Sequence, residues 1–352
     1  MVRTARRNLR RNLIRWILEN AKLIRIARGL PKAQTLKRKT TINIFFKERI
    51  RTMKSVGLIG APSSAGARQT GQELAPKLLR TMGICEDLHS AGLRVLDYGD
   101  IPLVGFEPDT NHPKAQNSAK VLGAALMIAD KVSKAVQQEV APLVIGGDCT
   151  VTLGVLEGLR RHYDNLGLVY FDGDVDLNTP ETTKTGILDG MVLAHIIGKG
   201  VDALSQIGNH SPLVAERDVI LFGYNARAGW MDPAEKEFLL DSSFLQYSVT
   251  RIRGRASQMA TEVLSSLNNN VKHFLVHFDV DVIDFSDLPV ADVPHERGLN
   301  LQEAADALGV FVSSPRCAGL VVTEFNAERD PDGVHAKRLI KEIARILAPS
   351  QM

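Results

Sequence analysis

The sequence predicts an α/β protein built on a mainly parallel sheet with helices on both of its faces. Three observations carry this expectation. From Ser55 onward, short apolar runs of strand length alternate with longer amphipathic stretches, the pattern of successive βαβ units. Two of the apolar runs, Leu168–Phe171 and His273–Phe278, open directly into closely spaced aspartates. Ligands of open parallel sheets bind at such carboxyl ends of strands. Finally, no repeat, low-complexity tract or linker interrupts the chain after residue 54, so one domain of about 300 residues accounts for it.

In chain order, candidate strands are 55–60, 93–98, 142–146, 166–172, 218–223, 244–248, 273–279 and 318–324. Helical periodicity fills 114–138, 150–161, 256–268, 300–313 and 333–347. Right-handed crossovers between parallel strands place these helices on both faces. The first strand leads into Gly60-Ala-Pro-Ser-Ser-Ala-Gly66. This is not the GxGxxG turn of dinucleotide sites, and no Walker lysine follows, which argues against a nucleotide cofactor. Val144-Ile-Gly-Gly-Asp-Cys-Thr150 is a strand running through two glycines into Asp148 and Cys149. Cys149 reads as a soft metal ligand, a nucleophile or simply a small buried residue, with no histidine near it in sequence to activate it.

The net charge of +3 hides a strong asymmetry. Residues 1–54 carry 17 Lys and Arg against only Glu19 and Glu48, whereas the remainder has 26 basic and 38 acidic side chains. The basic segment contains no long uncharged apolar run, which excludes a membrane span or a secretory core within it. Three readings of it stay open: a mitochondrial-type targeting peptide, an arm for anionic surfaces, or a start upstream of the natural one at Met53. We expect it to lie outside the folded domain, 55–352. The three cysteines, Cys85, Cys149 and Cys317, show no CxxC spacing, which points to a reducing, cytoplasmic setting without a disulfide framework.

The chemistry concentrates in two stretches. Leu168-Val-Tyr-Phe-Asp-Gly-Asp-Val-Asp176 ends in three alternating carboxylates, Asp172, Asp174 and Asp176. If strand geometry continues past Phe171, period 2 puts all three on one face. Acids gathered at one point repel unless they share a cation, so a divalent ion with oxygen ligands is the natural reading. The second stretch, His273-Phe-Leu-Val-His-Phe-Asp-Val-Asp281, ends in Asp279 and Asp281, again two residues apart. Two strands that both end in acid clusters are hard to explain as surface loops. His277 alternates with these aspartates and so faces the same region, and His195 follows Asp189 by one to two helical turns. Each is weighed as a ligand or shuttle against a hydrogen-bonded core histidine.

Together these motifs resemble the arginase (ureohydrolase) family over nearly all of 55–348. Gly146-Gly-Asp-Cys149 is similar to the family's GGDH, and Asp172-Gly-Asp-Val-Asp-Leu-Asn-Thr-Pro180 to its DAHxDxNTP. Thr185-Gly-Ile-Leu-Asp-Gly-Met191 resembles SGNxHGM, Asp279-Val-Asp-Val-Ile-Asp284 resembles DxDxxDP with Phe285 in place of proline, and Glu324-Phe-Asn326 resembles EVN. The resemblance implies a three-layer α/β/α fold with a mainly parallel eight-stranded sheet, assembled as trimers or hexamers. It implies a binuclear manganese centre that activates water against a guanidinium carbon and releases urea. Ligands would be Asp172, Asp176, Asp279 and Asp281, completed by Cys149 and Asp174, with Asp189 at the proton-shuttle position and Glu324 beneath the guanidinium. Asn178, Thr185, Asp232 and Glu235 fall in elements that hold the amino-acid part of the substrate, as in arginases rather than agmatinases.

The departures are informative. Cys149 and Asp174 replace two ligand histidines, Asp189 replaces the shuttle histidine, and Ile187 replaces an asparagine. Exchanging imidazoles for carboxylate makes the cluster more anionic, which favours a hard ion such as Mg²⁺ or Ca²⁺ beside the manganese of the family. Two functions follow. One is a metal-dependent hydrolase of a C–N bond in a guanidino or amidino, amino-acid-like compound. The other is a degenerate relative that binds a cationic ligand or a partner subunit on its acids without metal. A nucleic-acid partner would rest only on the first 54 residues and is not expected.

Overall fold

In a computed structural model the chain is described over residues 55–227, 230–268 and 270–348. The basic segment 1–54 lies outside the described residues. Eight strands form the sheet among them: β1 Ser55–Gly60, β2 Arg94–Asp100, β3 Ala141–Ile145, β4 Leu166–Phe171, β5 Val219–Phe222, β6 Leu245–Tyr247, β7 His273–Asp279 and β8 Cys317–Thr323. Their order is β2-β1-β3-β8-β7-β4-β5-β6 and every pairing is parallel. The principal helices are α1 Ala75–Thr81, α2 Ile84–Ser90, α3 Ser118–Gln137, α4 Val151–Arg160, α5 Val192–Ile196, α6 Pro233–Asp241, α7 Ala256–Ser266, α8 Leu301–Ser313 and α9 Val334–Leu347. Strand and helix limits depart from the sequence expectation by a few residues at most, because the hydrophobic period marks element interiors better than ends.

Alternation along each strand divides the core into two. Val169 and Phe171 of β4, Ile220 and Phe222 of β5 and Phe274, Val276 and Phe278 of β7 pack on one face beneath α1, α2, α7, α8 and α9. Leu168 and Tyr170, Val219 and Leu221, and Leu275 pack on the other against α3, α4 and α5. The result is the expected three-layer sandwich, in which central strands are apolar on both sides because helices cover both. The Phe171, Phe222 and Phe311 rings meet edge to face at 5.0–6.3 Å between centroids, a preferred aromatic geometry.

The four central strands, β3, β8, β7 and β4, end side by side. Gly147, just past β3, lets the Ser63 loop cross the strand end: a Cβ there would lie 1.6 Å from the Ser63 carbonyl oxygen. That carbonyl accepts from the Asp148 N–H at 2.9 Å. Backbone crowding of this kind at the carboxyl ends is what gathers distant side chains into a site.

Candidate metal centre

The strand geometry of β4 does not persist through its acids. The Asp172 N–H still reaches Phe222 O at 3.1 Å, but the Asp174 N–H then turns onto Asp172 Oδ1 at 2.6 Å. Asp176 is left-handed, with φ of 48°. The three carboxylates therefore fan out instead of sharing one straight face. The same happens after β7, where a short 3-10 turn over Val280–Val282 carries the Asp281 N–H onto Asp279 Oδ1 at 2.7 Å. Neighbouring acids in sequence thus serve different halves of the centre.

The inner half is sealed. Cys149, Asp172, His277 and Asp279 are each 2 % exposed or less. Cys149 Sγ donates to Asp279 Oδ2 at 2.9 Å and lies 3.7 Å from His277 Nε2. Asp172 Oδ2 lies 3.2 Å from the same nitrogen. His277 lies opposite Tyr170 in the β4–β7 register and stacks on it at 4.3 Å, with an angle of 6° between the rings. Its Nδ1 is fixed by Thr152 Oγ1 of α4 at 2.8 Å. Burial and the neighbouring acids push Asp172 and Asp279 well above the carboxylate range. Burial holds His277 down to about 3.

The outer half is more open. Asp174, with 32 % of its side chain exposed, accepts from Trp230 Nε1 at 2.7 Å. His295 Nε2 lies 3.5 Å from both Asp174 and Asp281. Burial disfavours a charged His295 ring, yet Asp281 and Asp174 outweigh it and raise its pKa to about 10. Burial likewise pushes Asp174 up, but the His295 ring more than offsets it and holds Asp174 low. Gly173 leaves space here that a Cβ would fill, 2.8 Å from His295 Nε2 and 2.9 Å from Asp281 Oδ1. Asp176 accepts from the Tyr170 hydroxyl, and burial together with the charges of Asp172, Asp189 and Asp174 pushes its carboxyl well up.

A third grouping lies at the end of β8. One oxygen of Asp189, one of Glu324 and Cys149 Sγ lie within 4.8 Å of one another. Asp189 Oδ1 accepts from the Cys149 N–H at 2.8 Å. Burial, together with the charge of Asp148, pushes its carboxyl well up. Glu324 is 4 % exposed, in a left-handed conformation with φ of 66°. Gln72 donates to its Oε2, while its buried Oε1 has no partner among the described residues. Beyond it Asp292 is clamped by Gln69 at 2.7 Å, Asn326 at 2.8 Å and Arg329 at 2.9 Å.

The substrate-holding residues implied by the resemblance occupy the rim, largely in local contacts. Asp232 and Glu235 form a capping box at the start of α6. Glu235 also accepts from the Leu177 N–H at 3.2 Å, and Asp232 pairs with Lys184. Burial raises the Glu235 carboxyl to about 7. Asn178 Oδ1 accepts from Thr182 at 3.0 Å, and Thr185 Oγ1 from the Ile187 N–H at 3.2 Å. His195 is buried in α5, takes no part in any of these groups, and is held by burial down to about 4. His295, Trp230, Gln72 and Asp292 were not singled out from sequence. They lie on loops and a short turn far along the chain from their partners, where no period marks them.

The donor set suits a divalent cation. A thiol, an imidazole and two carboxylates converge in the inner half, all within 4.8 Å of one another. A parallel three-layer α/β/α protein with a carboxylate-rich candidate metal site at its strand ends is the class defined here. The arginase family profile matches residues 54–348, and the chain belongs to the arginase family of hydrolases. It is 30% identical over 277 residues to the arginase of Bacillus caldovelox, covering 78% of this chain and 91% of that one. It is 28% identical over 295 residues to the arginase of Bacillus subtilis, covering 84% and 98%. The native crystal structure of the B. caldovelox arginase superposes with a TM-score of 0.77 at 27% identity, over 85% of this chain and 99% of the other.

Proposed function

We propose that the protein hydrolyses a C–N bond in a guanidino or amidino compound with an amino-acid-like tail, using a bound divalent cation. The observation that carries this reading is Glu324. A buried carboxylate with one oxygen unpartnered is costly, and a planar cation seated on it would satisfy that oxygen by a charge-assisted hydrogen bond. Gln72 holds the other oxygen and so orients the carboxylate.

Asp172, Asp176, Asp279 and Asp281, with Cys149 and Asp174, would hold the cation, manganese being the ion the family resemblance implies. A divalent ion held there would supply a water activated as a nucleophile near neutral pH. Asp189 lies within reach of a group seated on Glu324. Its raised pKa makes it a proton donor to a departing nitrogen and then an acceptor, a role the family gives to histidine. Asn178, Thr185, Asp232 and Glu235 form the polar rim for the substrate's tail.

The test is a screen of guanidino and amidino compounds for urea or ammonia release, with metal content measured in parallel. Turnover that needs bound metal and falls about 10²-fold with Glu324→Gln supports the proposal. Metal binding without turnover of any guanidino or amidino compound sinks the hydrolase reading and leaves a cation-binding protein.

A further inference from the structure

We propose that His277 is a metal ligand that replaces the imidazole missing at position 149, so that the inner half is a thiolate–imidazole–dicarboxylate site of Cys149, His277, Asp172 and Asp279 selecting a borderline ion such as Zn²⁺ or Co²⁺. This rests on the reading that the centre binds metal and deepens it, since a ligand set of this kind belongs to a different ion from manganese.

The spacing of the donors supports it. Zn–S of about 2.3 Å and Zn–N or Zn–O of about 2.0–2.2 Å in a tetrahedron give ligand-to-ligand edges of roughly 3.3–3.6 Å. The edges present are 3.7 Å from Cys149 Sγ to His277 Nε2, 3.2 Å from that nitrogen to Asp172 Oδ2, 4.0 Å from Sγ to Asp172 Oδ2 and 2.9 Å from Sγ to Asp279 Oδ2. These four of the six edges bracket the tetrahedral values, and the remaining two are within 4.8 Å, so side-chain rotations would be enough to close the set. All four donors lie within 4.8 Å of one another and are buried.

His277 is also prepared as a ligand. A metal-bound histidine needs a partner for its other nitrogen, and Thr152 Oγ1 stands 2.8 Å from Nδ1. A threonine hydroxyl donates or accepts by rotation, so it serves the ring in both tautomers. Without metal Nε2 and Asp172 Oδ2 share one hydrogen bond, whichever of them carries the proton. With metal the proton sits on Nδ1 and the Nε2 lone pair faces the ion. Stacking on Tyr170 fixes the ring plane, so Nε2 points at Cys149 and Asp172 in either state. Binding displaces the thiol proton to solvent, leaving a thiolate, which prefers borderline and soft ions over Mn²⁺, Mg²⁺ or Ca²⁺. The hard ion expected from the carboxylates alone gives way to one matched to sulfur and nitrogen.

The experiment strips the full-length protein with chelator and reloads it with Co²⁺, Zn²⁺ or Mn²⁺, with circular dichroism as a fold control. Co²⁺ is expected to give a near-ultraviolet thiolate-to-cobalt absorption that vanishes in Cys149→Ser. Zn²⁺ is expected to displace Mn²⁺ at equal concentration. His277→Phe, which keeps the stack on Tyr170, is expected to weaken Co²⁺ binding 10- to 100-fold. Co²⁺ that binds without the thiolate band, or with affinity unchanged in folded His277→Phe, overturns the ligand assignment while a metal-dependent hydrolase survives. Failure of all three ions to bind overturns both.

Discussion

The inner and outer halves of the centre each join aspartates to a histidine and behave differently. The inner half stands on strand ends and one helix N-terminus: Cys149 after β3, Asp172 after β4, His277 and Asp279 in β7. Backbone pairing and apolar packing on both faces hold it, and it is closed to solvent. The outer half stands on loops, with Asp174, His295 and the half-exposed Trp230 meeting across 56 residues or more of sequence. It carries its own candidate cation in His295, which the inner half lacks. A single acid-rich site therefore holds one position proposed for a metal and another where an imidazolium can stand among the acids.

That difference can be broken in several ways. Asp279→Ala strikes the inner half and is expected to lower kcat/KM by at least 10³-fold and to abolish metal binding, measured by turnover and elemental analysis. The same change should stabilise the metal-free protein at pH 8. Asp279 has a folded pKa well above its unfolded value, so its contribution is fully present only at low pH and is lost as pH rises through the folded value. A metal-free Asp279→Ala that melts below the parent at pH 8 would contradict the repulsion argument.

Glu324→Gln leaves both halves intact and removes only the carboxyl on which the proposed substrate cation would sit. About 10²-fold should be lost from kcat/KM with metal content unchanged. Trp230→Phe touches the outer half alone, deleting the indole N–H that Asp174 accepts. We expect less than about 10-fold in kcat/KM, and a larger loss would show that the outer half shapes the reaction as much as the inner one.

His195→Phe is the smallest test and lies outside the centre. Its folded pKa of about 4 lies below the ordinary value of 6.5. The stability of the buried neutral ring is thus fully present above pH 6.5 and is lost as pH falls toward 4. By about pH 4 the parent should have lost roughly 3 kcal/mol that the Phe variant keeps. Parallel denaturant titrations at pH 7 and pH 4.5 measure this, and equal slopes in both proteins would show that His195 is not the titrating group.

Sequence revealed the two histidines as equals and the structure separated them. Both sit at positions a pattern can place on a buried face. His277 shares a strand with Asp279, so its period carries it into the centre. His195 sits on a short helix and packs beside Gly200 instead. The acids were legible because they follow apolar strands directly, while their distribution between halves was not. That depended on local turns after Phe171 and Asp279, which follow from hydrogen bonds of carboxylates to nearby N–H groups.

What the sequence determined by itself is the layered α/β fold and the neighbourhood of the site. Hydrophobic alternation specifies strands and helices locally, and parallel strands must end on one edge. The partners of the acids were decided by tertiary structure alone. His295, Trp230, Gln72 and Asp292 enter from loops and turns with no period of their own, positioned only once the sheet has closed its crossovers and brought the ends of β3, β4, β7 and β8 together.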